Sequence, residues 1–105
     1  MIDPKNVTFP ITLETFTALQ KAEIGRDFDP AEIEFFTAVV QVANDAYTAA
    51  CVGNTDVTVD LITTINRINA PDTTTQHYAA LCRGWVLLAC RRGLELLAAV
   101  GTMPS

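Results

Sequence analysis

The stretch from Asp29 to Gly53 constrains this chain more than any other. Asp29 sits where an N-cap belongs, Pro30 takes the first helical position, and Glu32 follows three residues after the cap. Phe28, just before the cap, can staple to Ile33. No Gly or Pro then interrupts the run until Gly53. At 1.5 Å per residue, Pro30 to Val52 makes a rod about 34 Å long. Drawn at 100° per residue, Glu34, Thr37, Gln41, Asp45 and Thr48 fall on one narrow polar stripe, with Asn44 at its edge. Phe35, Phe36, Val39, Val40, Val42, Ala43, Ala46, Tyr47, Ala50 and Cys51 fill most of the rest. The apolar arc is wider than that of an ordinary surface helix, so neighbours must cover most of the circumference.

The rest of the chain supplies few neighbours. With 105 residues there is room for one domain, 1–105. Residues 1–11 read as an extended arm, because Pro10 biases Phe9 away from helix. Phe9 and Ile11 can pin that arm to a core. A short helix is predicted over Leu13–Ile24, capped by Thr12 and ended by Gly25. A third segment runs from Val57 to Asn69. Its β-branched residues suit a strand, but Val57, Leu61, Ile65 and Ile68 recur at helical spacing. A lone strand would have no partner here, so helix is the reading, with Asp56 or Thr58 as its cap.

The fourth helix is predicted to start near Thr74, with Thr73 and Gln76 as a capping box, and to end at Gly101. That span is about 40 Å long. Residues 102–105 read as a frayed tail. The expected architecture is all-α: four helices, two short and two long, dominated by a long antiparallel helix pair.

A compact domain of this length has a radius of gyration of roughly 13 Å and a diameter of about 33 Å. Both long helices equal or exceed that diameter, and two short helices cannot easily cover their arcs. The economical expectation is homo-oligomerisation through the surplus apolar face. Small residues point the same way. Ala79, Ala80, Gly84, Ala89, Gly93, Ala98 and Ala99 stud the fourth helix. Each internal glycine costs about 1 kcal/mol relative to alanine, which suggests that another backbone or a ligand approaches there.

Composition excludes several classes. Half the residues are apolar and only 18% are charged, which excludes wholesale disorder. The net charge of −5 is the wrong sign for a general nucleic-acid binder, so no direct nucleic-acid binding is expected. The longest apolar region, 78–100, is broken by Arg83, Arg91, Arg92 and Glu95, so no membrane span is expected. The opening MIDPKNVTFPITLETF lacks a signal-peptide pattern. Together with an odd cysteine count, that suggests a cytoplasmic protein with free thiols. No zinc spacing, Gly-rich phosphate loop or Glu-x-x-His pair occurs. No cofactor or metal is therefore expected, and the chain reads as non-enzymatic.

Charge is placed unevenly. Residues 1–60 hold ten acids and three bases, a net −7, while 61–105 hold two acids and four bases, a net +2. All four bases of the second half are arginines, whose planar forks suit carboxylate or phosphate. Arg83 and Arg91 lie two turns apart on one side of the fourth helix, with Leu87 between them. With His77 and Arg67 they form the candidate ligand- or partner-binding set. Two functions remain open. One is a small acidic helical oligomer that acts as a protein-interaction or inhibitor module, facing a partner with a basic surface. The other is a binder or sequestering protein for a small phosphorylated or nucleotide-like anionic ligand. The bland alternative is that Arg91 pairs with Glu95 one turn on and the other arginines are solvated. Each cysteine reads first as a small buried apolar residue, with Cys51 and Cys82 in the core and Cys90 the more reactive.

Overall fold

The computed structural model describes residues 7–72 and 75–101. Four helices follow one another: α1 (Leu13–Ile24), α2 (Pro30–Cys51), α3 (Thr55–Arg67) and α4 (Gln76–Gly101). No strand occurs among the described residues. The Cα radius of gyration is 14.4 Å and the principal extents are 50 × 26 × 19 Å. The molecule is therefore longer than a compact sphere of its size, as the helix lengths demand.

Local chemistry sets most of the helix ends. Thr12 Oγ1 accepts from Thr15 N–H at 3.1 Å, and Gly25 closes α1 at φ 80° with its N–H donating to Lys21 O. Asp29 Oδ1 accepts from Glu32 N–H at 2.9 Å, and Glu32 Oε1 accepts from Asp29 N–H at 3.4 Å. That reciprocal box satisfies two donors which the helix start would otherwise orphan. Phe28 reaches past the cap, and its ring meets Phe36 edge-on at 4.7 Å.

Two starts differ from expectation. Asn54, not Asp56 or Thr58, caps α3, with Oδ1 accepting from Val57 N–H at 3.3 Å. The turn at Gly53, φ 69°, delivers Asn54 directly to the helix start. At α4, Thr75 Oγ1 accepts from Tyr78 N–H at 3.2 Å, so the helix begins at Gln76 rather than near Thr74. The box expected at Thr73 and the tail 102–105 lie outside the described residues, as do residues 1–6 of the arm.

The β-branched third segment is a helix because its threonines adapt. Thr58, Thr63 and Thr64 each donate to the carbonyl four residues back, at 2.8, 3.0 and 2.8 Å. Those bonds satisfy the hydroxyls within the helix itself.

The dominant pair is α2 with α4, but its sense is parallel. The ring of Tyr78, near the start of α4, meets Phe36 near the start of α2 at 6.4 Å. Gly93, late in α4, lies against Tyr47, Ala50 and Cys51, late in α2. The reason is connectivity. The short helix α3 carries the chain back along α2, so the next long helix runs the same way as α2. The antiparallel hairpin expected from sequence overlooked that return stroke.

Helix α2 is the central element, touched by α1, α3, α4 and the arm. Phe35, Phe36, Val39, Val40, Val42, Ala43, Ala46, Ala49 and Ala50 are all buried. The arm is clasped by Asn44, which accepts from Ile11 N–H at 2.8 Å and donates to Ile11 O at 2.7 Å. Val7, Phe9 and Ile11 are buried beneath that clasp, with Phe9 stacked on Tyr47. Four elements thus cover the wide arc of α2, and it leaves no surplus face.

The surplus lies on α4 instead. Its buried stripe is Tyr78, Ala79, Cys82, Val86, Ala89 and Cys90, with Gly93 in the same line. Small residues bring α2 so close that only this narrow stripe is covered. Leu81, Leu96 and Val100 are exposed. Gly53, at the end of α2, lies against Leu97, so Val100 stands beyond the last turn of α2. The cysteine order also reverses: Cys82 and Cys90 are buried, and Cys51 is half-buried.

Candidate functional site

The faces of α3 and α4 that turn toward one another enclose an open cleft of about 200 Å³. Ile62, Ile65 and Asn66 line it from α3, and Ala80, Arg83, Gly84 and Leu87 from α4. Ile65 is fully buried and forms the floor. Above Gly84 no atom lies within 4 Å of where a Cβ would stand. Gly93 is the opposite case, since a Cβ there would meet Tyr47 O at 2.6 Å. One glycine is thus explained inside the chain by helix packing, and the other is not.

Arg83 supplies the charge at this cleft. Its Nη2 donates to Ile68 O at 2.6 Å, where α3 ends. Its guanidinium carbon stands 5.8 Å from the centre of the Phe35 ring. These contacts cap the negative end of α3 and tie it to α2 and α4. Nε of Arg83 is buried without a hydrogen-bond partner among the described protein groups. The residue is therefore neither a solvated surface charge nor a fully satisfied structural one.

The other sequence candidates are dispersed. Leu87 lines the cleft and is 56% exposed. Arg91 stands one turn further along, on the surface, with Nε 3.3 Å from Glu95 Oε1. Arg92 Nη1 is 3.0 Å from Glu95 Oε2, so one carboxylate faces two guanidinium groups. Arg67, in the last turn of α3, and His77, in the first turn of α4, are both exposed and line no part of the cleft. The structure thus brings together Arg83 and Leu87, and leaves Arg91, Arg67 and His77 outside. Trp85 is half-buried, with its ring edge-on to Phe16 at 5.0 Å.

Sequence reasoning missed a second polar grouping, at the start of α2 and α4. Glu32 is fully buried and receives both arms of Arg26, Nη1 to Oε1 at 3.0 Å and Nη2 to Oε2 at 2.9 Å. Such a fork-on-fork pair is geometrically selective. The Arg26 guanidinium is held above its ordinary value, first by the hydrogen bond to Glu32. Tyr78 OH donates to Gln20 Oε1 at 2.7 Å inside the core. Burial raises the Tyr78 hydroxyl above its ordinary value and pushes the Cys82 thiol up to about 11. No local signal links Gln20 to Tyr78 across 58 residues.

These groups are poor candidates for chemistry. A raised thiol is protonated at neutral pH, and only the thiolate attacks or ligates. No group of three or more His, Cys, Asp or Glu side chains is placed to hold a metal among the described residues. Among those residues no helix is long and apolar enough to cross a membrane. Comparison with known proteins finds no family model, no curated protein and no solved structure that matches this chain.

Proposed function

We propose that this chain is a non-enzymatic, cytoplasmic interaction module that works as a homo-oligomer. The observation that carries the reading is the outer side of α4. Leu87 and Leu94 are each about half exposed there, with Val59 and Val57 exposed on the neighbouring α3, while Leu81 and Leu96 are exposed on another side of the helix. Scattered single leucines on a surface need no explanation, but two aligned two turns apart on one side of a helix support a contact face. The acidic half of the chain gives the assembled module a surface suited to a basic protein partner, as an inhibitor of that partner would need. Light scattering over a hundredfold concentration range tests the assembly. A mass above 11.4 kDa supports the reading, and a monomer throughout contradicts it.

A second reading rests on Arg83. An unpartnered guanidinium nitrogen beside a cleft of about 200 Å³ suits a small anion with a flat apolar part. Thermal-shift measurement with a panel of nucleotides and sugar phosphates separates the two readings. A ligand present at a hundred times its dissociation constant adds about 2.7 kcal/mol of stability. No shift with any member of the panel removes the second reading and leaves the first untouched.

A further inference from the structure

Helix α4 carries two seams with alternating spacings of three and four residues. The inner one, Ala79, Cys82, Val86, Ala89 and Gly93, is filled by α2. The outer one reads Ala80, Gly84, Leu87, Arg91, Leu94 and Ala98, and lies roughly 140° round the axis. Alternating three-four spacing is the pattern by which one helix meets another along its length. Every member of the outer seam except Gly84 is exposed, and Gly84 is half-exposed with open space over its Cα.

We infer that the outer seam of α4 is the contact with a second copy of this chain, paired antiparallel about a two-fold axis at Leu87. The inference rests on the self-association reading above and adds the surface, the direction and the register. Its support is self-complementarity. Ala80 and Leu94 stand seven residues to either side of Leu87, so an antiparallel two-fold sets each alanine against the second copy's leucine. Gly84 and Arg91 stand three residues before and four after, so the bare backbone at Gly84 receives the aliphatic stem of the second copy's Arg91. Small residues meet large ones at both positions, and Leu87 meets its own copy on the axis.

Charge selects the same direction. A parallel pairing would set Arg91 beside Arg91 and leave the space over Gly84 unfilled. The antiparallel pairing separates the two Arg91 side chains. It brings Glu95 to within about a turn of the second copy's His77, since the two share one flank of the helix. Arg83 would face the second copy's Arg91, but its guanidinium is drawn aside to Ile68 O and the Phe35 ring. Ile62 of α3 lines the cleft beside the seam and widens the apolar contact.

Two substitutions in the full chain test the register. Leu87→Cys, made with Cys51→Ala to silence the half-buried thiol, places a sulfur on the axis. Treatment with diamide is expected to convert most of the protein to a disulfide-linked dimer. Leu81→Cys, as exposed but about 120° round the helix, is expected to stay largely unlinked. A Cβ at Gly84 meets nothing within 4 Å in its own chain and the Gly84→Leu side chain extends into the open cleft, so its far-ultraviolet dichroism is expected to match wild type while its mass falls to one subunit.

Failure of Leu87→Cys to link, or equal linking at Leu81→Cys, overturns the inference. So does a Gly84→Leu protein that remains an oligomer. If Gly84→Leu does not fold, the two cysteine variants decide alone. These results leave self-association standing if wild type still scatters as an oligomer. A wild-type monomer at every concentration removes both.

Discussion

Two glycines in one helix carry opposite meanings, and a methyl group distinguishes them. At Gly93 a Cβ would stand 2.6 Å from Tyr47 O and 2.7 Å from Ala50 Cβ, both on α2. Gly93→Ala is expected to destabilise by about 1–3 kcal/mol, because backbone must move to admit it. At Gly84 nothing lies within 4 Å. Gly84→Ala is expected to stabilise the isolated subunit by up to about 1 kcal/mol, the helix-propensity difference. Urea denaturation at nanomolar protein concentration reads both. A loss at Gly84→Ala as large as that at Gly93→Ala would contradict the open space over α4.

Burial decides the cysteines too. Cys82 and Cys90 are expected to resist a thiol reagent until the chain unfolds, while half-buried Cys51 reacts first. Burial pushes the Cys82 thiol up to about 11, from an ordinary value of 9. Its protonated form is favoured by the fold, so the native state holds a proton that the unfolded chain has released. The resulting stability is fully present below pH 9 and is lost as pH rises toward 11. Burial raises the Tyr78 hydroxyl in the same direction and adds to the alkaline loss. Denaturation midpoints between pH 7 and 11 check this. A midpoint that does not fall across that window, or falls equally in Cys82→Ala, contradicts the assignment.

At the scale of the helices, the arginines of α4 divide by where α3 ends. Arg83 lies beside the last turn of α3 and bonds the Ile68 carbonyl; Arg91 lies two turns on, where only Glu95 is in reach. Arg83→Ala is expected to cost about 1–2 kcal/mol, a charged hydrogen bond together with its packing on Phe35. Arg91→Ala is expected to stay within about 0.5 kcal/mol of wild type, since an exposed i,i+4 pair contributes little. Calorimetry separates them, and equal losses at both positions would contradict the geometry. Sequence alone treats the two residues as a matched pair, because the wheel shows them on one side and cannot show α3.

The same limit explains what else was legible. Thr12, Gly25, Asp29 and Glu32 act within a few residues of themselves, so the bounds of α1 and the start of α2 could be read from spacing. The polar stripe from Glu34 to Thr48 is exposed as drawn. The Asn44 clasp on Ile11 spans 33 residues, and the Gln20–Tyr78 bond spans 58. Neither has a local signature. The side of α4 that α2 covers also escaped, because Leu81, Leu96 and Val100 are apolar enough for a core and differ from Val86 only in where the neighbour stands. Size, not hydrophobicity, chose the seam: Ala79, Cys82, Ala89 and Gly93 let α2 approach, and leucines do not.

For the whole molecule, the central fact is where apolar surface is left over. Helix α2 is enclosed by three helices and the arm, so the wide arc that first suggested assembly is satisfied within one chain. Helix α4 is not enclosed. It outruns α2 and meets α3 across an open cleft, with Leu87 and Leu94 facing outward. The parallel sense of the long pair follows from α3, and so does the exposure: α3 is 13 residues long and cannot cover a helix of 26. An apolar face already formed on a helix can be covered without the cost of ordering a segment first.

Sedimentation equilibrium on wild type and Leu87→Glu decides whether this face of α4 is a contact. Leu87 is exposed in the subunit, so a charge there leaves the fold intact, as the helical dichroism of the variant would show. Buried in a contact, the same charge is unpaired and strongly unfavourable. Wild type at micromolar concentration is expected to sediment above the 11.4 kDa of one chain, and folded Leu87→Glu at 11.4 kDa. Identical masses for the two proteins would contradict the contact.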